Sequence, residues 1–324
     1  MTAAWDTVAI LGVGLIGGSI GLGLLERGLS RQVVGIGRRP AALRSALRRR
    51  AITSCTTDIA RGVADAQLIV VCTPVETVAE HVASIRRVCR PDAIITDVGS
   101  TKASIVAAVA AATSAIGGSA ATSAAVIGAS AATAAAAIGA SAAAAASAKR
   151  ALPPPSPRGQ FLGSHPMAGS EKTGVRHADA ALFHGRAVIL TPTPDTPPAV
   201  QRRLTRFWKS LGARVVSLSP DEHDRSVAAI SHLPHLVASA LAASTDVDQL
   251  RLAGGGWRDT TRVAAGDVEL WRQIFLDNRQ ALLPCLDRFL NKLDEFRAAV
   301  RDGDSAALRR LLEAGKEIRD AVGN

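Results

Sequence analysis

The feature that most constrains this chain is a short apolar run that stops at a glycine-spaced turn. Residues 7–11 read TVAIL, and Gly12-Val13-Gly14-Leu15-Ile16-Gly17-Gly18-Ser19 follow at once. An apolar run of this length suits a parallel strand buried on both faces. Residues 16–27 then carry a helical pattern, with Gly28 just past it as a stop. In this strand–turn–helix setting the G-x-G-x-x-G spacing has a physical meaning. Gly12 allows the tight turn, and Gly14 lets backbone approach a pyrophosphate. Gly17 lets the helix pack closely on the strand. The helix start at Leu15 and Ile16 presents backbone N–H groups to phosphate charge. The turn therefore predicts a bound dinucleotide.

The same alternation continues downstream. Apolar runs at 32–36, 66–72 and 93–98 predict strands, and residues 39–50 and 75–88 predict helices between them. Strands separated by helices of this length predict βαβ units and a parallel sheet. Further strands are expected at 187–190 and 214–218, with an amphipathic helix at 200–211. After residue 218 strand signals nearly vanish, and long helical patterns cover 221–244, 269–299 and 305–321. The predicted architecture is an α/β Rossmann-type dinucleotide-binding domain over 1–218 and an all-α domain over 219–324.

The end of the second strand bears on which dinucleotide is bound. An acidic residue about 20 residues beyond the glycines normally holds the ribose 2′-hydroxyl of NAD. Here the stretch reads Gly35-Ile36-Gly37-Arg38-Arg39. Without the carboxylate, two guanidiniums can pair with a 2′-phosphate. NADP is the expected cofactor, with NAD as the alternative. Thr73 and Pro74, which close the run at 66–72, are expected to line the same cofactor.

One segment stands apart. Residues 115–147 hold three consecutive 11-residue units marked by Ile116, Ile127 and Ile138, built otherwise of Ala, Ser, Gly and Thr. This reads as a low-complexity insertion over about 111–150, helical or disordered and without chemistry. Pro153–Pro157 follows as a stiff linker.

The net charge of +10 raises the question of nucleic acid. The basic residues are spread along the chain and no nucleic-acid motif is present, so neither nucleic acid nor membrane is an expected partner. A positive field toward anionic small molecules is the milder reading. The four cysteines lack CxxC spacing, so neither a zinc set nor a disulfide framework is expected. His232 and His235 lie three apart, but no full ligand set surrounds them, and no metal is expected. The start, MTAAWDTVAILGVG, lacks the layout of a secretory signal. A cytoplasmic location is expected.

Four further segments carry polar chemistry. They are Asp97-Val98-Gly99-Ser100-Thr101-Lys102, then Gly163 to Lys172 (GSHPMAGSEK), Ser231-His232-Leu233-Pro234-His235, and Gly255-Gly256-Trp257-Arg258-Asp259-Thr260-Thr261-Arg262. With the glycine turn, this ordered set resembles the prephenate/arogenate dehydrogenase family of tyrosine biosynthesis. The resemblance covers nearly the whole chain except the repeat. It implies oxidative decarboxylation of a cyclohexadienol carboxylate, prephenate or arogenate, with hydride transfer to a nicotinamide. It implies that His165 is the catalytic histidine, a residue type whose pKa suits proton transfer near neutral pH. Ser100 matches the family's serine beside the substrate hydroxyl and the nicotinamide. Arg262 and His235 match substrate-binding positions, and Ser170 and Glu171 match positions at the pocket mouth. The resemblance also implies a homodimer through the helical domain. His223, in Pro220-Asp221-Glu222-His223-Asp224, reads more simply as part of a helix start, and His232 as a structural residue. The competing readings are another two-domain dehydrogenase, which the His165 loop disfavours, and an NADP-binding redox sensor without turnover.

Overall fold

A computed structural model of the chain describes residues 4–113, 158–169 and 172–323. The 11-residue repeat, Pro153–Pro157, Ser170 and Glu171 lie outside the described residues. The chain forms two compact units, Met1–Asp224 with Ala265–Asp277, and Arg225–Ala264 with Asn278–Asn324.

The first unit is built on strands β1 (Trp5–Leu11), β2 (Ser30–Ile36), β3 (Ser54–Thr56), β4 (Leu68–Val71), β5 (Ile94–Asp97) and β6 (Gln160–Phe161). They form one parallel sheet in the order β3-β2-β1-β4-β5-β6. Helices α1 (Leu15–Glu26), α2 (Pro40–Arg48), α3 (Ile59–Val63), α4 (Val75–Val88) and α5 (Ala103–Thr113) connect or follow these strands. Successive strand residues point to opposite faces, and the packing follows that rule. Val8, Ile10, Val33, Leu68, Val70 and Ile94 enter one buried cluster. Ala9, Leu11, Ile36, Ile69, Val71 and Ile95 enter the other. Burial on both faces is why these strands read as unbroken apolar runs rather than alternating ones. The order reverses between β1 and β4, whose last residues Leu11 and Val71 are paired. A crevice for a ligand opens at such a reversal, beyond the carboxyl ends of the strands.

A second, three-stranded sheet follows in the order β7-β8-β9, with β7 (Gly163–Pro166) antiparallel to β8 (Ala187–Thr191) and β9 (Arg214–Ser217) parallel to it. Helix α6 (Pro198–Ser210) seals this region with Phe207 and Trp208. Trp208 meets Phe183 edge-on at 5.4 Å between ring centroids. Three elements escape the sequence patterns. Strand β6 has only two residues, β3 is polar, and β7 is buried although its sequence is GSHP.

Where a long helix is predicted over 221–244, the structure has α7 (Pro220–Val227), a π-helical turn (Ala228–His232) and α8 (Leu233–Ala243). The run Pro220–Ala243 is long and apolar enough to cross a membrane by length and composition. It nevertheless opens on acidic residues and buries His223, Asp224, His232 and His235. The pattern at 269–299 likewise resolves into two helices, α10 (Val268–Asp277) and α11 (Arg279–Arg301), broken at buried Asn278. The Asn278 amide meets His232 Nδ1 at 3.0 Å. Helix α10 groups with the first unit and packs on α4. Helices α9 (Gly255–Thr261) and α12 (Ser305–Val322) complete the second unit.

Helix α1 lies close to its neighbours because it is rich in glycine. A Cβ on Gly21 would stand 1.9 Å from the Ala51 carbonyl oxygen, whereas one on Gly14 would meet nothing within 4 Å. Gly21→Ala is therefore expected to lose roughly 1–3 kcal/mol of stability through overpacking. Gly14→Ala should lose less than about 1 kcal/mol. Urea unfolding midpoints of the two variants check this.

Candidate active site

The glycine turn has the geometry its spacing predicts. Gly12 adopts φ +96°, and a Cβ there would lie 2.5 Å from the Cys72 carbonyl oxygen. A Cβ on Gly17 would lie 2.3 Å from the Gly12 carbonyl oxygen, so the third glycine sets the contact between turn and helix. Gly14 faces open space at the N-terminus of α1, which has no acidic residue in its first turn. Leu15 and Ile16, half-buried, begin that helix. The cradle fits a pyrophosphate: its backbone is bare where the ligand approaches and closed where the protein packs. Thr73 and Pro74 follow β4 beside the turn, and Arg38 and Arg39 stand exposed after β2.

The centre of the polar site is a line of three side chains. His165 Nδ1 lies 2.8 Å from His223 Nε2, and His223 Nδ1 lies 2.7 Å from Asp224 Oδ1. All three residues are buried. Asp224 Oδ1 also accepts the Lys102 N–H at 2.8 Å, and Oδ2 accepts the Ala103 N–H at 2.9 Å. These N–H groups open helix α5, so the carboxylate occupies the positive end of that helix. Burial works to raise the Asp224 carboxyl pKa. The hydrogen bonds from His223 and the two backbone amides outweigh it and hold the group below the usual carboxylate range.

The protonation pattern follows from this order. An ionised Asp224 only accepts, so His223 donates to it from Nδ1. The two imidazoles share one hydrogen between His223 Nε2 and His165 Nδ1. The line thus connects the His165 ring, through His223, to a carboxylate that can answer a positive charge on it.

His165 is positioned by β7, whose other face is anchored to β5. Ser164 donates from Oγ to the Asp97 carbonyl oxygen at 2.7 Å, and its Oγ meets Thr96 Oγ1 at 2.9 Å. Asp97 in turn accepts the Gly99 N–H and pairs with Lys102 Nζ, both on Oδ2. Ser100 sits half-buried in the turn between those two residues. The structure thus gathers Ser100, His165 and the dinucleotide turn in the first unit. His235, buried on α8, and Arg262, exposed just after α9, belong to the second. Burial lowers the pKa of His235. His223 and Asp224 are the partners of His165 that the sequence patterns understate. Their signal was a histidine followed directly by an aspartate, masked by its resemblance to a helix start.

Asp224→Asn tests the electrostatics of this line. A carboxyl held below its unfolded pKa contributes stability that is present above that value and lost as pH falls through the folded pKa. The wild type should exceed the variant by on the order of 1–3 kcal/mol at neutral pH. The gap should close as the pH drops below about 4. Urea unfolding at neutral pH and near pH 3 measures both.

Comparison with known proteins divides the chain at residue 218. The nucleotide-binding domain of prephenate dehydrogenase matches residues 20–141 and 143–217, and the prephenate dehydrogenase dimerization domain matches residues 219–314. A prephenate dehydrogenase of Bacillus subtilis is 31% identical over 98% of this chain and 76% of its own length. A crystal structure of prephenate dehydrogenase from Aquifex aeolicus, in complex with hydroxyphenyl propionate and NAD+, superposes with a TM-score of 0.77 at 28% identity, covering 98% of each chain. Arogenate dehydrogenase of Synechocystis superposes with a TM-score of 0.71 at 26% identity, covering 98% of this chain and 99% of that one. With both domain families matched in order along a shared fold, this chain belongs to the prephenate dehydrogenase family.

Proposed function

We propose that the chain catalyses oxidative decarboxylation of prephenate to 4-hydroxyphenylpyruvate, with NADP preferred over NAD as acceptor. The observation that carries this reading is the Asp224–His223–His165 line, which ends on an imidazole in the unit that holds the dinucleotide cradle. When bound, the nicotinamide supplies a hydride acceptor. Gly12, Gly14 and Gly17 with the start of α1 hold the pyrophosphate, and Thr73 and Pro74 line the adenosine side. Arg38 and Arg39 meet the 2′-phosphate.

His165 takes the proton of the ring hydroxyl at Nε2 as carbonyl character develops on that carbon. The charge formed on its imidazole is shared with His223 and balanced by Asp224. Ser100 provides a hydroxyl that orients the substrate hydroxyl. After the hydride has left that carbon, loss of the ring carboxylate as CO2 sends its bonding electrons through the ring to the carbonyl oxygen, which takes back the proton from His165 as the ring becomes aromatic. Arg262 binds a substrate carboxylate, for which a guanidinium has matching geometry. His235, whose burial favours the neutral form, contributes a hydrogen bond rather than a charge. Ser170 and Glu171 are assigned to the pocket mouth on the family resemblance.

A second substrate reading is arogenate, which differs from prephenate in carrying an amino acid in place of the keto acid side chain. The similarity to the Synechocystis enzyme and the Arg38-Arg39 strand end favour keeping it. The working form is a homodimer acting in the cytoplasm. In the second unit Leu283, Leu290 and Leu293 on α11 and Leu312 and Ile318 on α12 are exposed, which suits cover by a second copy.

Two measurements test the assignment. His165→Asn should lower kcat by about 10²–10⁴-fold, the usual worth of a general base, while calorimetric Kd values for the cofactor stay unchanged. Absorbance of reduced cofactor should rise when wild-type protein meets prephenate and NADP, with a lower kcat/KM for NAD. Turnover of arogenate alone would reassign the substrate, and no turnover in any pairing of prephenate or arogenate with NADP or NAD would leave a cofactor-binding protein without this reaction.

A further inference from the structure

A polar cluster beside the glycine turn takes no part in the chemistry above. His81, half-buried on the second turn of α4, meets Thr73 Oγ1 through Nδ1 at 3.1 Å. Thr77 Oγ1 lies 3.1 Å from Thr73 Oγ1 and donates to the Pro74 carbonyl oxygen at 2.9 Å. Thr73 itself backs onto the turn, since a Cβ on Gly12 would lie 3.4 Å from its Cγ2. Arg38 follows β2, whose last residue Ile36 pairs with Leu11 of β1, and Thr73 follows β4, whose last residue Val71 pairs with Leu11 from the other side. Three segments therefore meet at the carboxyl ends of β2 and β4, the place where this fold receives the adenosine half of a dinucleotide.

We propose that His81 is a specificity residue for the 2′-phosphate of NADP, acting beside Arg38 as a second cation that forms when the phosphate binds. The inference rests on the NADP preference proposed above. Arg38 carries a permanent charge, whereas His81 gains one only by taking up a proton. In the protein without cofactor, burial and Arg38 hold the His81 imidazole below the usual histidine range against the opposite pull of Glu80 and the Thr77 backbone. The other charged groups on elements packed against α4 are engaged elsewhere or exposed. On α10, Glu269 and Arg272 pair with each other, and Gln273 bonds Glu76 of α4. Arg61 on α3 is exposed, and β4 carries no charge. A phosphate dianion reverses the balance at His81 and favours the imidazolium, so NADP binding takes up a proton that NAD binding does not.

Calorimetric titration of the full chain with NADP and with NAD, at about pH 6 and about pH 8.5, tests this. His81→Gln should weaken NADP binding by about three- to fivefold at the lower pH, the worth of a half-exposed ion pair. At the higher pH the effect should nearly vanish, and NAD binding should be unchanged at both. The phosphate's own protonation near pH 6 weakens binding equally in both proteins, so the variant-to-wild-type ratio isolates His81. Equal weakening of both cofactors, or an NADP effect independent of pH, would reduce His81 to a support for the Thr73 loop and overturn the proposal. A cofactor ratio that responds to Arg38→Ala but not to His81→Gln overturns this inference alone. Equal affinity for both cofactors in the wild type, unmoved by Arg38→Ala, overturns the NADP preference and the inference with it.

Discussion

The polar site depends on one buried ion pair. Lys102 Nζ and Asp97 Oδ2 lie 2.6 Å apart, and neither side chain has any exposed surface. Such a pair gains little over an apolar one, but losing either partner leaves a bare charge, at a cost of about 3–5 kcal/mol. Every remaining bond of the pair has a positional meaning. Lys102 also donates to the Thr101 carbonyl oxygen, which curls the Gly99–Thr101 turn back on itself. Asp97 accepts the Ser164 N–H on its other oxygen. The sheet end, the turn that carries Ser100 and the strand that carries His165 are thereby held to one point.

The Lys102 backbone extends that point to the line of Asp224, His223 and His165. Its N–H is one of the two that fix Asp224, so the residue serves one carboxylate through its side chain and another through its main chain. A helix N-terminus that could attract a ligand phosphate is here filled by the protein's own anion. Two helix starts of the unit are used in opposite ways. That of α1 is kept bare beside Gly14, and that of α5 is closed by Asp224.

Much of this was legible in the sequence, for a physical reason. A parallel sheet buried on both faces must be written in apolar runs, and a turn that lets backbone touch a ligand must be written in glycine. Both kinds of signal are local. Residues 7–11 and Gly12 to Gly17 therefore announced β1, the cradle and α1, and the segments around Ser100 and His165 carried the family resemblance. The signals that failed are those settled by tertiary contacts. Strand β7 is polar because its residues serve Asp97 and His223 rather than a core, so no hydrophobic pattern betrays it. His223 sits in a sequence that is also a good helix start, and its partnership with His165 spans 58 positions along the chain. The break at Asn278 is set by a contact to His232 that no periodicity encodes.

The pairing of β7 with β8 has a consequence for how His165 is aimed. His165 lies opposite Ile189, with Ser164 opposite Leu190, and neighbouring strand residues face opposite ways. The His165 imidazole is thus aimed by a ladder of backbone bonds rather than by the loop that follows it. The ladder is closed below by the Met167 N–H on the Ala187 carbonyl oxygen. The chain between those two sends Val175, Ala178 and Phe183 into the core, so both ends of the ladder are tied down. A slip of β7 by one residue against β8 would exchange its faces, turning Ser164 toward His223 and His165 toward Asp97. The aim of the imidazole is therefore written in a hydrogen-bond register and not in the length of the loop beyond it.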